Sequence, residues 1–185
     1  MNPDDPRARR TRSRLRAAVL ELAADHDLTA VTMAEVARRA SVNRATIYAH
    51  YRDQDELLTD AMEEAVAEVA RAAGLCPLDA PDTRTPQPLV DLFAHVGRNA
   101  TLYRRMLGAQ GSARFATRLR DRLAEELGSR FRAGARPPGL DAVPVEVHAN
   151  YLAGALVAVV AHWVAEPTRS SVEEIALATW RLLCR

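Results

Sequence analysis

The sequence predicts an all-α protein of about nine helices, and three observations carry that prediction. Apolar residues make up 48% of the chain but aromatics only 5%, with alanine and leucine abundant, a balance that favours helix over sheet. Apolar side chains recur at i, i+3, i+4 and i+7 along most of the length. Three pairs, Thr32 with Glu35, Asp53 with Glu56 and Ser171 with Glu174, have the spacing of a capping box, in which two side chains satisfy unpaired amides at a helix start. A length of 185 residues allows one ordinary domain, or a small one and a larger one.

The first five residues read as a flexible arm, followed by a helix from Pro6 to Asp25 with Leu15, Ala18, Val19 and Leu22 on one face. Arg7, Arg9, Arg10, Arg12 and Arg14 crowd its first turns, either as a solvated face or as groups that reach phosphates. Net charge is only +1, yet up to Arg52 there are ten arginines against six acids, so a local basic surface lies at this end. Leu28 and Val31 plug the loop into a second helix, which Thr32 caps and on which Val36, Ala37 and Ala40 form a small apolar face. The turn is Ser41-Val42-Asn43, with Val42 buried between helices. Asn43 caps a third helix whose Ile47 and Tyr51 turn inward. Arg44, Ala45, Thr46, Tyr48, Ala49 and His50 are left facing out. That face is short and mostly small, and it suits a helix entering a major groove.

The combination of Thr32, Glu35, Val36, Ala37, Ala40, Val42, Thr46, Ile47, Tyr48, His50 and Tyr51, followed by Glu56, Leu57 and Leu58, resembles the N-terminal domain of the tetracycline-repressor (TetR/AcrR-like) family over about Arg12 to Leu58. The resemblance implies a helix-turn-helix DNA-binding domain over 1–55 and a helical regulatory and dimerisation domain over 56–185. Resemblance and side-chain chemistry together assign Arg44 to guanine, Ala45 and Thr46 to a thymine methyl or the backbone, and Thr32, Asn43, Tyr48 and His50 to phosphates. There are two departures. Ser41 stands where the family has a turn glycine and must adopt a left-handed or similar conformation at about 1 kcal/mol. Gln54 stands where the family has a lysine, so Arg52 is expected to supply the missing phosphate contact.

Beyond the third helix, Asp53 opens a long helix through about Ala73, with Leu58, Ala61, Met62, Ala65 and Val69 as its stripe. Leu75 to Pro88 holds four prolines and reads as a loop. Helices follow over 87–99, 100–107, 112–133, 145–165 and 171–184, with a proline- and glycine-rich loop over 134–144. The 145–165 helix is apolar around nearly its whole circumference, which a surface helix cannot be. Its Leu152, Leu156, Val160 and Trp163, with Ile175, Thr179, Leu182 and Leu183 of the last helix, are therefore expected to meet the same pair of a second copy in a four-helix bundle. Two heads on a two-fold axis would read a palindromic operator in double-stranded DNA.

Proteins resembling this family bind a small effector among the middle helices. Candidate lining groups are Met62, Phe93, His95, Tyr103, Met106 and Phe115, joined by Asn150, Tyr151 and His162, and they favour a mainly apolar, partly aromatic ligand. Repression, with release by that ligand, is implied by the resemblance alone.

Other classes fit less well. His95, His148 and His162 match no His-Glu-x-x-His or Glu-x-x-His spacing and no phosphate-cradling glycine loop is present, so no catalytic residue, metal or cofactor is expected. Cys76 and Cys184 are far apart, without Cys-x-x-Cys, as in a cytoplasmic protein with reduced thiols. The N-terminus lacks the apolar stretch of a signal peptide, and the run from Tyr151 to Val164 is short for a bilayer, so no membrane partner is expected. A ligand-binding module whose reading head has lost its affinity for DNA is the remaining alternative.

Overall fold

The computed structural model describes residues 6–77, 84–137, 139–166, 168 and 170–183. The arm expected over residues 1–5, residues 78–83 of the proline-rich loop, and Cys184 lie outside them. The described residues form ten helices and no strand. The first five are α1 (Pro6–Asp25), α2 (Met33–Arg39), α3 (Arg44–His50), α4 (Gln54–Ala61) and α5 (Glu63–Gly74). The others are α6 (Gln87–Arg98), α7 (Ala100–Leu107), α8 (Ala113–Arg132), α9 (Val145–Ala165) and α10 (Val172–Leu183).

The count exceeds nine because the long helix expected from Asp53 divides at Met62. There the backbone (φ −88°, ψ −1°) tightens and the Met62 amide is shared between the Leu58 and Asp60 carbonyls. The apolar stripe runs through this break, since Leu58, Met62, Val66 and Val69 are all buried, so periodicity gave no sign of it. The caps form as the sequence indicates. Thr32 Oγ1 accepts from the Glu35 amide at 3.2 Å, and Asp53 Oδ1 accepts from the Glu56 amide at 2.7 Å. Ser171 and Glu174 exchange both bonds, at 2.8 and 3.2 Å. The Thr32 and Asp53 boxes are one-sided: the Glu35 carboxylate turns towards Arg38 at 3.7 Å, and that of Glu56 accepts from the Arg52 amide at 2.8 Å.

α1 packs on α2 and α4 to make the N-terminal unit, with Leu15, Val19, Val36, Ile47 and Leu57 fully buried. The C-terminal unit is built on α8, which carries α5 on one side and α9 on the other. α10 packs mainly on α6, and Phe93 meets the Trp163 ring edge-on at 5.5 Å. Gly97 makes this approach possible: a Cβ there would lie 3.2 Å from the Trp163 ring.

α9 departs from expectation in two ways. At 21 residues it is by length and composition long and apolar enough to cross a membrane. One side of it is nevertheless spent on packing within the chain, chiefly against α8, and buries Ala149, Leu152, Ala153, Leu156 and Val160. Four of the residues expected at a dimer interface, Leu152, Leu156, Val160 and Trp163, therefore sit in the chain's own core, and so does Thr179 of α10. The face turned away from the core is Val147 (59% exposed), Tyr151 (71%), Gly154, Ala158 and His162. Gly154 has nothing within 4 Å of where a Cβ would be, so this strip of α9 lies bare. Leu182, also expected at the interface, is 69% exposed on α10, while Ile175 and Leu183 are half-buried.

Candidate DNA-binding face

Seven residues make α3, and its orientation is set from both ends. At its start Asn43 Oδ1 accepts from the Ala45 amide at 2.8 Å. At its end Tyr51 is buried and its hydroxyl donates to Asp60 at 2.5 Å. The same Asp60 carboxylate takes a two-pronged bond from Arg16 of α1, at 2.8 and 2.9 Å. Burial above all, and then the Asp60 carboxylate, push the Tyr51 phenol well above its ordinary value, so it stays a hydrogen-bond donor. This knot of α1, α3 and α4 fixes the angle at which α3 leaves the body.

Ser41 takes the left-handed backbone the sequence requires, with φ +51°. Arg14, counted among the phosphate-reaching candidates, donates from Nη2 to the carbonyls of Ala40 and Ser41, the latter at 2.9 Å. It thus caps the end of α2 and braces the strained turn. Mutating Arg14→Ala is expected to weaken DNA binding through that turn, and Ser41→Gly in the same background is expected to restore it, because glycine takes the left-handed form without the roughly 1 kcal/mol penalty. DNA titrations of the two single variants and the double variant check this. If glycine rescues nothing, Arg14 acts on phosphate instead.

The outward face of α3 holds Arg44, Ala45, Tyr48 and Ala49, all exposed, with Thr46 and His50 half-buried at its edge. Burial, and secondarily the Arg12 guanidinium, hold His50 below its ordinary value. In the free protein the neutral ring is thus favoured, and it can offer a phosphate an N–H. Thr32 and Asn43 are exposed but already use their side-chain oxygens as caps. Arg52 is exposed and holds Glu56, from its own amide at 2.8 Å and from Nε at 3.1 Å, so any phosphate contact competes with that carboxylate. Gln54 donates to the Leu28 carbonyl at 2.8 Å and ties down the α1–α2 loop. Arg39 is engaged with Glu21.

The six inner ligand candidates, Met62, Phe93, His95, Tyr103, Met106 and Phe115, are all buried in the C-terminal unit. Tyr103 lies at the centre of an aromatic run, 6.0 Å from the His95 ring and 6.2 Å from the Phe115 ring. Asn150, Tyr151 and His162 do not join them. They point out from the bare side of α9, where Asn150 bonds the Glu146 carbonyl and His162 lies 3.7 Å from Glu166. An interior crevice lined by Cys76, Leu89, Leu127, Leu152, Leu156 and Leu183 has a volume of about 10 Å³, room for no more than a water.

Between the two units run contacts that sequence reasoning did not find. Arg105 of α7 donates to the Ala23 carbonyl near the end of α1. Arg114 of α8 reaches Asp53 at 3.0 Å and Asp55 at 3.5 Å, beside the start of α4. Partners so far apart in the chain leave no local signal.

The family model for bacterial regulatory proteins of the tetR family matches residues 15–61, the span of the helix-turn-helix and α4. A second model, a transcriptional regulator C-terminal region, matches residues 84–183. The chain belongs to the tetR family. A TetR transcriptional regulator from Streptococcus agalactiae has the same fold, with a TM-score of 0.69 at 20% identity over 98% of this chain and 97% of that one. So does the FadR repressor of Thermus thermophilus, solved with lauroyl-CoA, with a TM-score of 0.63 at 21% identity over 93% and 92%. The HTH-type regulator YxbF of Bacillus subtilis is 35% identical over 66 residues, which is 35% of this chain and 17% of that protein's length. Membership in the tetR family makes this chain a DNA-binding transcriptional regulator, and at the family level not an enzyme.

Proposed function

We propose that this protein is a cytoplasmic repressor that binds a palindromic operator as a homodimer and is released by a small, mainly apolar ligand. The observation that carries the reading is the outward face of α3. Arg44, Ala45 and Tyr48 stand exposed on a helix anchored at both ends, which is what reading a major groove requires. In this reading Arg44 takes guanine, and Tyr48, His50, Thr32, Asn43 and Arg52 touch the backbone. The bare strip of α9, Val147, Tyr151, Gly154 and Ala158, together with the exposed Leu182 of α10, meets its own copy across a two-fold axis. A ligand among α5 to α8 acts on the heads through Arg105 on α1 and Arg114 on the start of α4.

A titration of the purified protein against duplex DNA at several salt concentrations tests this. Specific affinity is expected to fall steeply and linearly on a log–log plot as counterions are released, with the specific site outcompeting bulk DNA. Equal, feeble affinity for all duplexes would favour the alternative, a ligand-binding module without an operator.

A further inference from the structure

Among the buried polar atoms that lack a hydrogen-bond partner, with Thr59 Oγ1 and Arg130 Nε, are two on neighbouring rings: His95 Nε2 and the Tyr103 hydroxyl. Their residues are 7% and 0% exposed and their rings stand 6.0 Å apart, nearly perpendicular. Leaving such groups unsatisfied is unfavourable, so two neighbouring rings that each carry one await something polar. The chemistry of each is defined. His95 Nδ1 lies 3.0 Å from the Glu68 carboxylate, so in the neutral ring the proton sits on Nδ1 and Nε2 presents a lone pair. Burial, and then the Glu68 charge, raise the Tyr103 phenol above its ordinary value, so it remains a donor.

An acceptor and a donor on neighbouring rings suit one hydroxyl group, which donates to the first and accepts from the second. The walls suit an apolar body. Phe115 is edge-on to Tyr103, and Met106, one turn along α7, is an unbranched side chain that changes shape readily to admit a guest. Glu68 disfavours an anion here. From this geometry we propose that the effector site is centred on His95 and Tyr103 and takes a small uncharged molecule with an apolar body and a hydroxyl head, of the phenol or alkanol class. This rests on the ligand-responsive reading above and names the chemistry of that site.

The test measures binding of phenol, 1-hexanol, toluene and benzoate to the full chain by calorimetry, without DNA. Phenol or 1-hexanol is expected to bind at least tenfold tighter than toluene, and benzoate weakest. Tyr103→Phe is expected to remove about tenfold of the hydroxyl compounds' affinity, leave toluene unchanged, and raise the Tm of the free protein by deleting an unpaired hydroxyl. Toluene binding as well as phenol, no binding by either alcohol, or a Tyr103→Phe protein that melts lower and binds phenol undiminished, as when a fixed water joins the two groups, would overturn the proposal. DNA release is measured separately: phenol binding without release would refute the effector reading while leaving the site's chemistry intact.

Discussion

Placing glutamate at Tyr151 and Ala158 together is expected to turn the proposed dimer into a folded monomer whose operator affinity is lower by a factor on the order of 10²–10⁴, the advantage lost when two linked heads become two independent ones. Both positions are exposed in the single chain, so charge there leaves the fold intact while opposing like charge across the two-fold axis. Gly154, with open space where a Cβ would stand, lies between them on the same strip and permits close backbone approach. Glutamate at Leu156 or Val160 would behave differently. Those side chains are 4% and 2% exposed, inside the chain's own core, so charge there unfolds the protein rather than dissociating it. Sedimentation velocity with a melting curve separates the outcomes, and a Tyr151→Glu/Ala158→Glu protein that remains dimeric places the interface elsewhere.

Truncating Arg44→Ala is expected to relax base preference at one position of each half-site, with a loss of about 1–3 kcal/mol per half-site on the preferred sequence and little on others. Arg44 is the first residue of α3 and exposed, so nothing in the fold depends on its guanidinium. Its position at the amino end is where a recognition helix meets base edges. Affinities for a set of operators substituted one base pair at a time give the answer. A uniform loss across the set would make Arg44 a phosphate contact.

The reading head was legible because what builds it is local. Thr32, Asn43 and Asp53 bond amides two or three residues on, and Ile47 and Tyr51 share a face by helical spacing. Ser41 announced its strain by occupying a position that favours glycine. What the sequence concealed is longer in range. Arg14, Arg16 and Arg105 find partners 26, 44 and 82 residues away, and their guanidinium groups look alike in a charge count. α9 concealed its orientation for another reason: with apolar residues on all sides, periodicity cannot say which face turns inward. Leu156 was therefore expected outside and Tyr151 inside, and packing against α8 reverses both.

Selection of genomic DNA fragments on the purified, full-length protein tests the central claim most directly, since it asks for the operator itself. Enriched fragments are expected to converge on one inverted repeat whose half-sites lie one helical turn, about 34–36 Å, or a multiple of it apart. Enrichment without a shared motif, or a motif lacking two-fold symmetry, would contradict a paired helix-turn-helix reader.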